Sequence, residues 1–251
     1  MLVKDEVLKN IESKQYTIKF AKTEEEVTAA LKLRYQVFKK ELSRNFGFDD
    51  GIDVDEYDDQ AHHLIVVHNE SDTVVGTYRM QTYEEASRHN GFVSGDRYLL
   101  EDLPDEVLKN AVEVGRACIR KEHRSGRVLF LLWKGFAGYL KFFKKRYLFG
   151  YTALESKDPD VLLNTYEHLK KKGFVHDQYN VGIRNEFQLP RRKLSADSDE
   201  IDVPPLLQNY LDVGSRVCSL PSMDRELELA HFLILLDIEN IPERTQKLFF
   251  R

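Results

Sequence analysis

Glu113 and Arg116 stand three residues apart in "VEVGRACI" (112–119), a run otherwise apolar enough for the inside of a sheet. In a regular strand the two side chains point to opposite faces. They converge if the strand is irregular, and Gly115 between them permits a bulge. A bulged central strand leaves backbone N–H groups free. Such groups can pair with an extended acyl-pantetheine arm and polarise its thioester carbonyl. The basic turn "RKEHRSGR" (120–127) then opens an apolar helix, whose N-terminus favours phosphate. The competing reading of the same residues is a buried strand with one ion pair, followed by a basic turn.

The elements that must position these groups follow from the patterning. "YTIKF" (16–20) predicts a strand. Residues 23–41 predict a helix, with Thr23 as N-cap and Glu26 completing a capping box. An acidic loop follows, and "HHLIVVH" and "TVVGTYRMQ" form a hairpin across "NESD". Residues 83–111 are irregular and partly helical. The 112–119 strand leads into a helix over about 127–145. "YLFGYTAL" is a further strand, "DPDVLLNTYEHLKKKGF" a helix stopped by Gly173, "PPLLQNYLDVGSRV" a helix and "HFLILLDI" a buried strand. The polar stretch 189–204 predicts a surface loop. No repeat or linker divides the chain. The expected fold class is α/β: a mixed central sheet flanked by helices, in a single domain over residues 1–251.

Composition narrows the function. The chain has 251 residues, 42% hydrophobic and 31% charged, enough for a large core. A net charge of −5 argues against nucleic acid as a partner. Two cysteines, Cys118 and Cys218, are too few for a disulfide framework and fit a reducing, cytoplasmic setting. The start, "MLVKDEVLKNIESK", is charged and helical in pattern rather than a signal peptide. The apolar run "VLFLLW" falls far short of the roughly 20 residues that span a bilayer, so any membrane contact is expected to be peripheral. There is no G-x-S-x-G elbow, Walker A loop or HExxH zinc site, and no metal is expected. No histidine is followed by the x4-Asp of the glycerolipid acyltransferases. The adjacent His62 and His63 face opposite sides of a strand and are expected to be structural.

The ordered set "LRYQVF" (33–38), "DVDEYDDQAHHLIV" (53–66), "VGTYRM" (75–80) and "VEVGRACI" (112–119) resembles the acyltransferases related to acyl-homoserine-lactone synthases, which share the fold of the GCN5-related N-acetyltransferases. Further segments, among them "GRVLFLLWKGFAGYL" and the stretch from "PPLLQNYL" to "LILLDI", are similar to the ornithine-lipid and glycine-lipid N-acyltransferases of bacteria, the hemolysin-like family. The resemblance runs from about residue 30 to the C-terminus. It implies a substrate-binding set of Arg34, Phe38, Asp55, Asp58 and Arg79, completed by Cys118 and Ile119, with Glu113 and Arg116 catalytic. Three arginines and three carboxylates, Asp55, Asp58 and Glu113, are expected to form one charged network. For Arg34, Asp55, Asp58 and Arg79 a purely structural ion-pair web is the equal alternative. Cys118 itself is expected to be a small core residue rather than a reactive thiol.

The implied reaction is direct acyl transfer. Glu113, directly or through water, deprotonates the α-amine of a bound amino acid, which attacks the thioester. The fold's coenzyme A enzymes usually carry Arg/Gln-x-x-Gly-x-Gly/Ala before the helix; here "KEHRSG" puts Arg124 at the first glycine and keeps only Gly126. That departure points to an acyl-phosphopantetheine donor on acyl carrier protein rather than acyl-coenzyme A, with no cofactor resident on the enzyme. Carrier proteins are acidic. The expected docking residues are Arg124, Gly126, Arg127, Lys141, Lys144 and Lys145, supported by Lys134 and Arg146; a solvated basic face is the plain alternative. The aromatics Phe130, Trp133, Phe136, Tyr139, Phe142 and Phe143 are expected mainly in the core. The function so implied is transfer of a 3-hydroxy fatty acyl group to ornithine, glycine or a similar acceptor, the first step of aminolipid synthesis. The rivals are an acyl-homoserine-lactone or long-chain N-acyl amino-acid synthase, and a non-catalytic carrier- or lipid-binding scaffold.

Overall fold

The structure is a computed structural model and describes residues 10–42, 51–154, 156–190 and 203–250. In chain order the elements are β1 (Ile11–Glu12), β2 (Tyr16–Phe20), α1 (Glu24–Tyr35), β3 (His62–His68), β4 (Thr73–Thr82), α2 (Tyr83–Arg88), α3 (Asp105–Lys109), β5 (Ala111–Ile119), α4 (Arg127–Phe142), β6 (Tyr147–Leu154), α5 (Pro159–Lys171), α6 (Pro205–Asp212), β7 (Arg216–Val217), β8 (Ser222–Asp224), β9 (Leu229–Asp237) and α7 (Glu243–Phe249). The fold is mixed α/β, built on largely antiparallel strands flanked by helices. Two compact units divide it. One comprises Met1–Gly91, Val112–Lys145 and Phe249–Arg251, the other Phe92–Ala111 and Arg146–Leu248.

In the first unit, β1 to β5 pair antiparallel in chain order. β1 corrects the helical expectation at the N-terminus: Ile11 pairs with Ile18 and Glu12 with Thr17, turning at Ser13. The earlier part of that stretch, residues 1–9, lies outside the described residues. In β2, Tyr16, Ile18 and Phe20 are buried and Thr17 and Lys19 half-buried, the alternation of a strand covered on one side. Thr23 caps α1, its Oγ1 accepting from the Glu26 N–H at 3.3 Å, while the Glu26 carboxylate accepts from the Lys22 N–H at 2.6 Å. The helix does not run regularly to residue 41. It loosens into a π-helical segment, Gln36–Glu41.

The two faces of this sheet differ. One meets α4, which seats its glycines and aromatics there: a Cβ on Gly135 would come within 2.5 Å of Leu64, and one on Gly76 within 2.7 Å of Val128. Tyr78 and Phe136 pack edge-to-face at 4.6 Å. Trp133, Phe136 and Tyr139 are buried as expected, whereas Phe130 and Phe142 stay exposed. The other face carries α1, an apolar cluster and the charged groups. Leu33, Val37, Phe38, Ile65, Val67, Val74 and Cys118 form that cluster.

In the second unit β6 and β9 pair antiparallel over their whole lengths, from Tyr147↔Asp237 to Leu154↔Ala230. β7 and β8 both add to β9. Asp158 caps α5, its side chain accepting from the Asp160 N–H at 2.9 Å, and Gly173 ends that helix at φ +73°. α6 is shorter than expected, because Gly214 at φ +112° turns the chain into β7. Most of the predicted loop, residues 191–202 with Arg191, Arg192 and Lys193, lies outside the described residues.

Candidate active site

The site is built where β4 and β5 lose register. Thr77 pairs with Cys118 but Arg79 pairs with Gly115, so Arg116 and Ala117 together oppose Tyr78. This is the expected bulge, with its strain one residue further on than Gly115. Arg116 itself takes the left-handed backbone, at φ +53°, a conformation that costs a non-glycine residue about 1–2 kcal/mol. The extra residue resets the alternation. Glu113, Gly115 and Cys118 share one face with Arg79 and Gln81, the residues directly opposite them, and Arg116 turns its guanidinium to the same side.

Three arginines and three aspartates meet there. Arg34 donates from Nη1 to Asp58 Oδ1 at 2.5 Å, from Nη2 to Asp53 Oδ1 at 2.5 Å and from Nε to the same oxygen at 2.9 Å. Arg79 Nη1 bonds Asp58 Oδ1 at 3.0 Å and also Asp55 Oδ1. Arg116 Nη2 reaches Asp55 Oδ2 at 2.7 Å, and its Nη1 lies 3.5 Å from Asp53 Oδ2. Arg34 is 1% and Asp58 3% exposed, so these charges are held by one another and not by water. Burial works against the charged forms of Asp55 and Asp58. The adjacent guanidiniums outweigh it and hold both carboxyls below the usual carboxylate range. The same pairing raises the pKa of the buried Arg79 guanidinium.

Asp53 was not foreseen as a member of this web, although it lies in the same "DVDEYDD" segment. Its neighbours Asp55 and Asp58 were. The segment folds on itself, with the Asp55 N–H donating to Asp58 Oδ2 at 2.8 Å. The web fixes α1, the acidic loop, β4 and the β5 bulge together, which favours the structural role weighed for these four residues.

Glu113 is held differently. Its Oε2 accepts from Gln81 Nε2 at 2.6 Å, and Gln81 Oε1 accepts from Gln60 Nε2 at 2.7 Å. Both amides also donate to the Gly91 carbonyl, and Gln60 Oε1 accepts from the Asn90 N–H. A relay of neutral amides thus orients one buried carboxylate. Gln81 was legible in principle, two residues beyond Arg79 on the same strand face. Gln60 left no signal in the sequence. His63 and His62 are structural, as expected: His63 lies 3.3 Å from the Asp58 carbonyl and His62 2.8 Å from the Tyr139 hydroxyl. Burial lowers both imidazoles to about 4.

Phe38 and Cys118 sit in the apolar cluster beside the web. Burial pushes the Cys118 thiol up to about 12, so it stays protonated and inert, in keeping with a core role. Ile119 ends β5, where its carbonyl accepts from Arg124 Nε at 2.9 Å. Gly126, at φ +79°, caps α4, and Arg127 is exposed beside it with Nη1 on Gln15 Oε1 at 3.1 Å.

The basic face of α4 is less continuous than expected. Its 16 residues span roughly 24 Å, so Arg124 and Arg127 at one end stand apart from Lys141 and Lys144 at the other. The structure removes Lys145 from the docking set: it is buried and its Nζ bonds Glu84 Oε1 at 2.6 Å. Arg146, past the helix, is engaged by Asp237 at 2.6 and 2.7 Å. Lys134 lies over the Phe130 ring. Among the described residues no group of three or more His, Cys, Asp or Glu is arranged to hold a metal, and no helix is long and apolar enough to cross a membrane.

Residues 33–134, which contain the web, Glu113 and the first half of α4, match the acetyltransferase (GNAT) domain. The chain is similar to the L-ornithine N(alpha)-acyltransferase of Brucella abortus, 26% identical over 241 residues, covering 90% of this chain and 86% of that one. It is also similar to the enzyme of the same name from Rhizobium meliloti, 27% identical over 248 residues, covering 90% and 81%. In fold it is similar to the coenzyme A-dependent acyl-homoserine lactone synthase BjaI, with a TM-score of 0.52 at 14% identity, covering 90% of this chain and 81% of that one. The acyl-homoserine lactone synthase LasI gives 0.51 at 11% identity, covering 95% and 96%.

Proposed function

We propose that the β5 bulge is the reaction centre of an ornithine-class N-acyltransferase that carries out the first acylation of aminolipid synthesis. The observation that carries this reading is similarity to L-ornithine N(alpha)-acyltransferases along nine-tenths of the chain. The chain is an N-acyltransferase on a GNAT domain. The finer assignments that follow are ours.

An α-amine is protonated near neutrality and must lose that proton to attack. Glu113, aligned by the Gln81–Gln60 relay, accepts it, directly or through one water. The neutral amine adds to the thioester carbonyl and the oxyanion is met by backbone N–H groups at the bulge; as the C–S bond breaks, the nitrogen passes its remaining extra proton to the departing thiolate, which leaves as the thiol, and Glu113 returns its own proton to solvent. No covalent enzyme intermediate is needed, because holding both substrates in register supplies much of the rate. Arg116, steadied by Asp55 and Asp53, sits beside the reacting atoms, and the web of Arg34, Arg79 and the three aspartates keeps the bulge in place. The donor is a 3-hydroxy acyl group on the phosphopantetheine of an acyl carrier protein. Support comes from the missing first glycine of the "KEHRSG" turn and from the exposed cations at both ends of α4. The acceptor is ornithine, glycine or another small amino acid, and the enzyme works in the cytoplasm with at most peripheral contact with the bilayer.

The test is expression in a bacterial host that makes no such lipid, followed by mass spectrometry of the lipid extract. The expected product is one new species: an amino acid with a single amide-linked chain, whose head group identifies the acceptor. An acylated lactone would move the chain to signal synthesis. Absence of any acylated amine, from folded protein with donor present, would overturn the reading.

A further inference from the structure

Gly115 is a glycine that the fold does not require. Other glycines of the same unit explain themselves. Gly76 and Gly135 make room for α4, where a Cβ would strike Val128 at 2.7 Å or Leu64 at 2.5 Å, and Gly126 needs its positive φ. Gly115 has neither reason. Its φ is not positive, and a Cβ built on it meets, among the described residues and apart from its two chain neighbours Val114 and Arg116, no atom within 4 Å. A glycine inside a strand weakens it, through lost backbone entropy and lost side-chain packing. The neighbours Val112, Glu113 and Val114 are all buried, so the open space over Gly115 is a local feature of the strand.

The groups around that space are charged. Gly115 pairs with Arg79 across β4, and Glu113 lies two residues away on the same face. Arg116, the next residue, brings its guanidinium to Asp55, the acid that Arg79 also holds. A carboxylate two positions along the strand and two guanidiniums alongside form a polar rim. Such a rim suits a small zwitterion, with its ammonium toward Glu113 and its carboxylate toward Arg116, the more exposed of the two guanidiniums. It is a poor lining for an alkyl chain.

We infer that Gly115 is a specificity-determining residue: its missing side chain is the space into which the amino-acid acceptor settles against the β5 backbone. This rests on the proposed N-acyltransferase reading and adds to it the position that sets the size of the acceptor site.

The experiment compares wild type with Gly115→Ala and Gly115→Val. Thermal melting reports the fold, KM and kcat are measured separately for acceptor and donor, and calorimetry titrates L-ornithine and glycine into each protein without donor. Gly115→Ala is expected to melt at or above the wild-type temperature. Its acceptor KM should rise about tenfold to a hundredfold, the scale of overfilling a close-fitting space by one methyl group. The donor KM should stay within about twofold of wild type, and Gly115→Val should go further in the same direction. A large fall in melting temperature for the alanine variant would show that packing demands the glycine and would overturn the inference. So would an unchanged acceptor KM, or a rise confined to the donor KM. Wild-type turnover gauges the proposed function itself. If wild type binds an amino acid without turning it over, that reading fails while the calorimetric loss in Gly115→Ala still decides this one.

Discussion

Glu113 is the proposed base, and the aspartates are the groups that hold the arginines. Asp53, Asp55 and Asp58 each answer at least one guanidinium, and such pairs are costly to break and slow to exchange protons for work. Glu113 accepts a hydrogen bond from the neutral amide of Gln81, which fixes its position. Glu113→Gln keeps the shape and removes the proton acceptor. It should lower kcat by about 10²–10⁴ with little change in melting temperature. A folded Gln variant that turns over at the wild-type rate would move the base elsewhere. The spacing of Glu113 and Arg116 was visible in the chain. Their common face was not, because it depends on one extra residue in β5 that only pairing with β4 reveals.

At the scale of elements, α4 and the strands beneath it are matched by subtraction of side chains. Gly76 faces Val128, a β-branched residue with little rotamer freedom to yield. Gly76→Ala should therefore destabilise the protein by about 1–3 kcal/mol. Adding Val128→Ala should recover part of that loss, so the double-mutant cycle should show coupling of at least about 0.5 kcal/mol. Strict additivity in urea unfolding would mean that α4 shifts rather than clashes. The π-helical end of α1 is a second fitted feature, following directly on the turn that carries Arg34. Helical periodicity led the sequence reading through it, because i, i+4 spacing and a slightly looser turn leave nearly the same hydrophobic pattern over so short a stretch.

Two expectations concern the molecule as a whole. The first is acid stability. His62 and His63 are buried with pKa near 4, against about 6.5 in an unfolded chain. Between those values the unfolded state binds more protons, so stability is fully present above pH 6.5 and is lost as pH falls toward 4. Each histidine contributes a slope of up to about 1.4 kcal/mol per pH unit. Asp55 and Asp58, held below the ordinary carboxylate range, extend the loss to lower pH. The urea midpoint should already be lower at pH 5 than at pH 7.5. Equal midpoints would show that neither imidazole is kept neutral by the fold. The second is donor choice. Lys141→Glu with Lys144→Glu should raise KM for an acyl carrier protein thioester and flatten its salt dependence, as expected when steering charges are screened or reversed. KM for the matching coenzyme A thioester should change little. Lys145→Glu belongs to a different class: it puts a carboxylate at a buried position beside Glu84 in place of the cation that pairs with it, and should lower the melting temperature. Equal use of both thioesters, before and after the double change, would rule out docking at this end of α4.

The chain alone determined the order of the main strands and helices, and its resemblance to a known family implied the kind of reaction and the residues proposed to carry it. The first is a property of residue type, local periodicity and caps such as Thr23 and Gly173, and the second rests on ordered segments such as "VEVGRACI". The tertiary structure decided who partners whom. It brought Asp53 into the arginine web, put Gln60 and Gln81 behind Glu113, took Lys145 out of the solvent and left open space over Gly115. Each of these depends on residues far apart in sequence meeting at hydrogen-bonding distance, or failing to meet, and on a bulge that resets which face of β5 a side chain joins. Periodicity cannot register such an event, because it counts residues along one strand while the bulge is defined by the strand beside it.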